Sequence, residues 1–411
     1  MAALCTGMTG RFGMLRPGTF ALTALLAALT AVGPLSTDMY LPSLPDIARD
    51  LNASTPQVQL TISAFLVGFA CGQILYGPVS DRLGRKPVLL AAVALFCAAT
   101  IVCMLATSID MLILARVAQA LGGSGAVVVT RAIVRDMYSG ARAGRELSII
   151  SSVMAVAPVL APIIGGTLQT AFGWRSMFVV LAVAGIAALC VVWALLPETL
   201  KRPDEDTSGS SMLQSYRIVV SSRVFLSYLG IGSFSYAGLF AWISGAAFVL
   251  QNLYGLTPFV FGFVFAVATF GYFTGTTIAA KIVARAGLDG VIGIGSAVLA
   301  LGGLMACAAV ALGFTSSLSL VIPVAIFLCG FGMVLPQSIA GAITPFPERA
   351  GAASSLFGFV QQTGAAICGA IVASLLGQNA WPMVAAIALV GCVTLILWFA
   401  TRDVRRPKKS A

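Results

Sequence analysis

Residues 77–87 read Gly-Pro-Val-Ser-Asp-Arg-Leu-Gly-Arg-Lys-Pro, a knot of four charges in a chain that is 9% charged. Gly77, Pro78, Gly84 and Pro87 disfavour a continuous helix. Asp81 is followed at once by the bases Arg82, Arg85 and Lys86. This is the chemistry of a short, tight connection between two helices at a surface that attracts cations. The flanking apolar runs, near 57–80 and 88–107, are each long enough to cross a hydrocarbon core, which takes about 20 residues.

Composition extends that reading to the whole chain. Of its 411 residues 59% are hydrophobic, and mean hydropathy is +0.99. A soluble domain has roughly 25% charged and about 45–50% apolar residues, and a chain of this size could not hide so much apolar surface from water. The expected class is an all-α integral membrane protein, because in lipid each helix satisfies its own backbone. Eight of the nine cysteines (Cys71, Cys97, Cys103, Cys190, Cys307, Cys329, Cys368 and Cys392) lie in apolar runs, and Cys5 lies in the N-terminal tail. With no Cys-x-x-Cys pair and no His, neither a metal site nor a disulfide framework is indicated. The cysteines read as small hydrophobes. The net charge of +10 is spread through short loops, which argues for membrane topology and against nucleic acid. The first apolar stretch follows Arg11 and Arg16 but is too long, and lacks the small-residue cleavage site, for a secretory signal.

Twelve spans are expected, near 18–41, 57–80, 88–107, 110–133, 146–168, 176–196, 223–250, 257–280, 289–311, 318–342, 351–376 and 381–400. An N-terminus in the cytoplasm puts 21 of the 24 bases on the cytoplasmic side. Only Arg49 and Arg175 fall outside, and Arg116 lies within a span. That asymmetry is the positive-inside rule, and it places both termini in the cytoplasm. The longest polar interruption, 197–222, separates six spans from six. The expected organisation is a cytoplasmic tail (1–17), a six-helix bundle (18–196), a linker (197–222), a second bundle (223–400) and a basic tail (401–411). Two joined halves are the plan of many secondary transporters. Lys281-Ile-Val-Ala-Arg285-Ala-Gly287, after the second span of the second half, faintly repeats the 77–87 knot.

Four segments resemble the major facilitator superfamily, specifically its twelve-span drug:proton antiporters of the bicyclomycin-resistance (Bcr/CflA) branch. Gly77, Asp81, Arg82, Gly84, Arg85 and Lys86 fit the superfamily signature between spans two and three. Leu114-Ala-Arg116-Val-Ala-Gln119-Ala-Leu-Gly122 fits the span-four antiporter motif. Ala157-Pro158-Val-Leu-Ala-Pro162-Ile-Ile-Gly165-Gly166 fits the span-five export motif, with Ala161 where Gly is usual. Ser36-Thr-Asp38-Met-Tyr40-Leu-Pro42-Ser-Leu-Pro45 is similar to the end of span one in that branch, as Pro407-Lys-Lys409 is to its C-terminal end.

Asp38 is costly within a span, about 2.5–3.5 kcal/mol at a helix centre, so it should face a cavity. A buried carboxyl suits a group that exchanges protons or holds a polar substrate; the plain alternative is an interfacial acid in water. Some relatives carry a second acid two turns earlier, where this chain has Thr30. Arg116 cannot shed its charge and needs a carboxylate, carbonyls or water. The resemblance implies that it takes part in proton coupling. It is expected to modulate the protonation of Asp38 or to bind substrate, with Gln119 on the next turn, and Tyr40 is expected at the same proton-coupling or substrate site. The resemblance also implies that Arg85 reaches Asp136, leaving Asp81 to cap a second-half helix near Gly351 as a conformational gate. Pro158, Pro162, Gly165 and Gly166 are expected at a hinge between the halves. Tyr236, Phe240, Trp242, Gln361 and Gln362 are candidates to line a cavity.

No Gly-x-x-x-x-Gly-Lys-[Ser/Thr] loop occurs, which argues against an ATP-driven pump, and no catalytic cluster suggests an enzyme. No cofactor is called for beyond the proton motive force. The expected function is proton-coupled efflux of small amphipathic compounds, such as bicyclomycin or chloramphenicol-like drugs, by a monomer in the bacterial inner membrane. Its partners are drug, protons and lipid. The alternative is a proton symporter, or an exporter of an endogenous amino acid or peptide, on the same fold.

Overall fold

The computed structural model describes residues 19–138, 140–200, 212–314, 316–377 and 379–405. The expectations for Cys5, Arg11, Arg16, Lys201, Arg202 and Pro407-Lys-Lys409 lie outside the described residues, as do most of both tails and the middle of the linker.

Helix α1 (Phe20–Asp38) leads through a turn at Leu41–Ser43 into short α2 (Leu44–Asp50). Then follow α3 (Thr55–Leu83), α4 (Arg85–Met104), α5 (Ile109–Met137), α6 (Gly140–Phe172) and α7 (Arg175–Leu195). The linker carries α8 (Met212–Val220). The second half holds α9 (Arg223–Phe248), α10 (Pro258–Ala311), α11 (Ser317–Ile343), α12 (Ala350–Leu375), α13 (Trp381–Ala400) and the short α14 (Arg402–Arg405).

Among the described residues ten helices are long and apolar enough to cross a membrane, and α6 adds the shorter apolar stretch Val156–Phe172. Helix α10 accounts for two spans. Its 54 residues would run about 80 Å as one rod, against a hydrocarbon core of about 30 Å. Gly287, at φ 68°, breaks it, so 257–280 and 289–311 are separate crossings and the total is twelve. The chain is a multi-pass membrane protein.

The 77–87 knot is more helical than its composition suggests. Helix α3 runs through Pro78 to Leu83, and α4 begins at Arg85. Gly84 alone, at φ 100°, makes the reversal. Only glycine takes that conformation without strain, and the same device recurs at Gly287. The faint sequence repeat is thus a repeat of turn geometry. Span five differs most from expectation: α6 starts at Gly140 instead of near 146, carried past the apolar run by the polar but helix-compatible Gly140–Glu146.

Helices α1 and α3–α7 pack into one bundle and α9–α13 into another, related as two pseudo-symmetric six-span units. Gly122 lets α5 lie directly on the Phe96 backbone of α4, and Gly330 lets α11 lie on the Leu299 backbone of α10. Small residues permit such close approach where lipid provides no hydrophobic drive. The two bundles meet along α3 with α12 and along α6 with α10. One end of the assembly carries Asp38 and α2; the other carries Arg85.

Candidate functional site: a buried carboxyl between two bundles

Asp38 closes α1 and is only 7% exposed. After Asp38 the backbone stays right-handed helical through Met39, Tyr40 and the Leu41–Ser43 turn into α2, with Pro42 and Pro45 interrupting the hydrogen-bond ladder. Among the described residues its carboxyl has neither an ion-pair nor a hydrogen-bond partner. It lies close enough to Tyr236 of α9 for its charge to act on the phenol. Tyr236 also lies near Gln362 of α12 and Tyr272 of α10. Its ring is 5.1 Å from Phe240 and 6.1 Å from Phe331, and Tyr272 is 5.4 Å from Phe331. One acid of the first bundle thus faces an aromatic and amide wall of the second.

Arg116 is completely buried, and it does not join Asp38. Its Nη1 donates to the Ser36 carbonyl at 3.0 Å and to Gln119 Oε1 at 2.6 Å. Its guanidinium lies between the rings of Phe65, at 4.2 Å, and Tyr40, at 4.7 Å. Nε and Nη2 have no partner. Gln119 in turn donates to Thr100 at 2.9 Å, and the Tyr40 hydroxyl shares a 2.7 Å bond with Thr61. The cation is therefore held by a carbonyl, an amide and two ring faces, with no carboxylate among the described residues. It is tied to Ser36, two residues before Asp38, through the α1 backbone.

The Asp38 end is sealed across the bundles. Gln59 donates to the Ser244 carbonyl, Ser63 to the Ala366 carbonyl at 3.2 Å, and Gln251 to the Pro42 carbonyl at 2.9 Å. Gly165 lies against the Met39 carbonyl, Gly166 against that of Pro258, and Gly262 against that of Pro162. At the opposite end Gly77 of α3 and Gly351 of α12 have open space around them.

Near that opposite end, Arg85 donates from Nε to Asp136 at 2.9 Å and from Nη1 to Asp81 at 2.5 Å and Ser80 at 2.8 Å. Asp81 is largely exposed and stays with Arg85. Glu198, just beyond α7, accepts from the backbone N–H groups of Arg85 (3.0 Å), Lys86 (3.1 Å), Thr199 (2.8 Å) and Leu200 (2.9 Å). Partial burial pushes its carboxyl up, but these N–H groups outweigh that and hold it below the usual range. Thr199 also donates to Asp136 at 3.3 Å.

The structure therefore gathers the expected residues into three places. Asp38 of the first bundle lies near Tyr236 of the second, which in turn lies near Gln362. Tyr40, Arg116 and Gln119 form a buried cluster inside the first bundle. Asp81, Arg85 and Asp136, with Gly84 at the turn, form the third; Arg82 and Lys86 flank it. Trp242 is fully buried and stacked on Phe265 at 5.9 Å, and Phe240 and Gln361 are buried too. Sequence reasoning missed Tyr272, Phe331 and Glu198. Only Glu198 carried a signal, an acid directly after an apolar run. Among the described residues no cluster of His, Cys, Asp or Glu could hold a metal ion.

Comparison with known proteins places this architecture. Residues 26–367 match the Major Facilitator Superfamily. The chain is 36% identical to an uncharacterized MFS-type transporter, YdgK, of Bacillus subtilis over 87% of this chain and 89% of that protein. It is 30% identical to a bicyclomycin resistance protein homolog of Haemophilus influenzae and to multidrug resistance protein D of Escherichia coli, each over 93% of this chain and 96% of the relative. Its fold superimposes with a TM-score of 0.68 and 18% identity on a bacterial homolog of the human lysosomal transporter Spinster, captured inward-facing and unoccupied, covering 94% of this chain and 97% of that one. The chain is a transporter, not an enzyme, and it belongs to the Major Facilitator Superfamily, where bicyclomycin-resistance and multidrug-resistance proteins are among its relatives.

Proposed function

We propose that this protein is a proton-coupled efflux transporter that exports small amphipathic compounds across a bacterial inner membrane by alternating access. The observation that carries the reading is Asp38: a carboxyl buried between the two bundles with no cation to neutralise it. An ionised, unpaired carboxylate is costly in such a place, and taking up a proton removes the cost. Proton binding and release at Asp38 therefore change the energy of closing the bundles over it, which is what coupling requires. The ionised form favours an open, wet site that can receive substrate. Arg116, Gln119 and Tyr40 act on Asp38 through the end of α1 and hold its peptide in place.

The bias of the bases puts the Arg85 end, both termini and the 197–222 linker in the cytoplasm. On that reading the sealed Asp38 end is periplasmic and the form described here is inward-facing. Six-helix units at 18–196 and 223–400 rock about the α6–α10 and α3–α12 contacts. In the outward-facing form Asp81 caps α12 near Gly351, and the Arg85–Asp136 pair holds α4 to α5 in both forms. Bicyclomycin is the first substrate to try, because one relative is a bicyclomycin resistance protein homolog, and chloramphenicol-like drugs follow as other small amphipathic compounds.

Everted vesicles with an imposed proton gradient test this. They should accumulate drug, and Asp38→Asn should abolish accumulation while the protein stays in the membrane at normal levels. Accumulation unchanged by Asp38→Asn overturns the coupling role, and uptake of drug into intact cells overturns export.

A further inference from the structure

A groove on the outer face of the first bundle takes no part in the coupling site or the gate. It runs between α4 and α7 and has a volume of about 480 Å³. Ala91, Ala94 and Cys190 are small and exposed and make its floor, and Leu90, Leu189 and Trp193 are its bulkier flanks. All six are apolar, so the groove suits a hydrocarbon chain. In the second bundle the corresponding crevice, between the ninth and twelfth spans, is filled by the protein itself. There Trp398 lies against Gly293, and its indole N–H donates to the Asp289 carbonyl at 3.0 Å. Trp193 of the first bundle instead stands 67% exposed, in the last turn of α7.

One end of the groove is marked by a cation. Lys86 is one helical turn from Leu90 and two from Ala94, on the same face of α4. Its backbone N–H donates at 3.1 Å to Glu198, three residues beyond the end of α7. Lys86 therefore stands at the rim where the two helices reach the polar edge of the membrane, and a lysine there extends its ammonium towards that edge. The acids nearby are already engaged. Asp81 and Asp136 pair with Arg85, and Glu198 accepts four backbone N–H groups. Among the described residues the Lys86 ammonium has no ion-pair partner.

We propose that this groove binds an anionic phospholipid, one acyl chain lying between α4 and α7 and the headgroup resting on Lys86. The apolar floor alone would take the chain of any lipid. The unpaired cation at its rim selects a net negative headgroup, as basic pockets between spans do on the cytoplasmic side. Trp193 lies near the same edge, the depth that tryptophan favours. The lipid then joins the third and sixth spans from outside, where Trp398 joins the ninth and twelfth from within.

Quenching of tryptophan fluorescence by lipids brominated on their acyl chains tests this. The full-length protein is reconstituted in phosphatidylcholine vesicles holding a minor share of brominated phosphatidylglycerol or of brominated phosphatidylcholine. The quenching that disappears in Trp193→Phe is the signal from the groove. In the wild type that signal should show about fivefold preference for phosphatidylglycerol, the worth of one cation at a membrane surface. Lys86→Gln should bring the two lipids level, and Lys86→Arg should keep the preference. Lys281→Gln removes the same charge from the second bundle and should leave the preference as it was. Ala94→Phe, which fills the floor, should weaken quenching by both lipids. Equal quenching by the two lipids in the wild type, a preference that survives Lys86→Gln, or one lost as fully in Lys281→Gln overturns the headgroup contact. Quenching unchanged by Ala94→Phe overturns the groove as the place of the chain.

Discussion

Gly262 lies against the carbonyl of Pro162, and Gly166 lies against the carbonyl of Pro258. Each helix brings a proline and, four residues later, a glycine, so α6 and α10 cross as mirror roles of one motif. The bare glycine backbones let the carbonyls approach, a contact that Cα–H groups can support. Gly165, one residue away, holds the Met39 carbonyl beside Asp38. The crossing that closes one end thereby touches the peptide of the coupling candidate.

A methyl group at either glycine has no room, and overpacking of this kind costs about 1–3 kcal/mol. Gly166→Ala and Gly262→Ala should each spring the Asp38 end open. In vesicles, a Ser63→Cys thiol should react with an impermeant maleimide several-fold faster in those backgrounds than in the parent. Unchanged labelling with full transport would remove the crossing from the gate.

Arg116 bears its charge with two nitrogens unbonded and no carboxylate partner. A buried ion in that condition lowers stability, and well-packed apolar replacements of buried charges are often neutral or stabilising. Arg116→Met should therefore raise Tm by a few degrees, about 1–2 kcal/mol, while proton-driven transport falls at least tenfold. A drop in Tm would mean that the Ser36 and Gln119 bonds, with the two ring faces, outweigh the desolvation of the cation.

The spans were legible because apolar runs of about 20 residues leave little choice, and Gly84 with Gly287 punctuated them. The family resemblance, not any local spacing, implied that Arg85 reaches Asp136, and the two groups lie 2.9 Å apart. Tyr272 and Phe331 left no such trace. In helices apolar all round, the period that separates a core face from a water face is lost, so a ring facing the gap reads like one facing lipid. Arg116 could be recognised as needing partners, but its choice of the Ser36 carbonyl over Asp38 depends on which face α1 presents to α5, which no local pattern encodes.

Glu198 fastens the start of the linker to the first turn of α4, where anions are favoured. Its carboxyl is held below the ordinary range by four N–H donors. Such a group stabilises the fold at pH above the unfolded value of about 4.3 and stops doing so as pH falls through its own lower value. Glu198→Ala should loosen the Arg85–Asp136 arrangement at neutral pH and lower Tm there, with the gap from the parent closing in strong acid. A gap that instead widens as pH falls would contradict the cap.

The second bundle is tied at the equivalent place with the charges exchanged. Where Glu198 beyond the sixth span holds the start of the third, Arg405 beyond the twelfth holds Asp289 at the start of the ninth, at 2.5 Å. Arg405 also donates to Ser227 at 2.9 Å, to Thr401 and to the Trp398 carbonyl at 2.6 Å, and its side chain is wholly buried. Removing one partner of such a pair leaves the other uncompensated, at about 3–5 kcal/mol, whereas replacing both can be nearly neutral. Arg405→Met should therefore destabilise strongly, and Asp289→Asn added to it should recover much of the loss. Thermal unfolding in detergent of the parent, both single variants and the double variant measures the coupling. Additive losses would show that Asp289 and Arg405 act separately, and that the exchanged-charge tie does not hold the ninth and twelfth spans together.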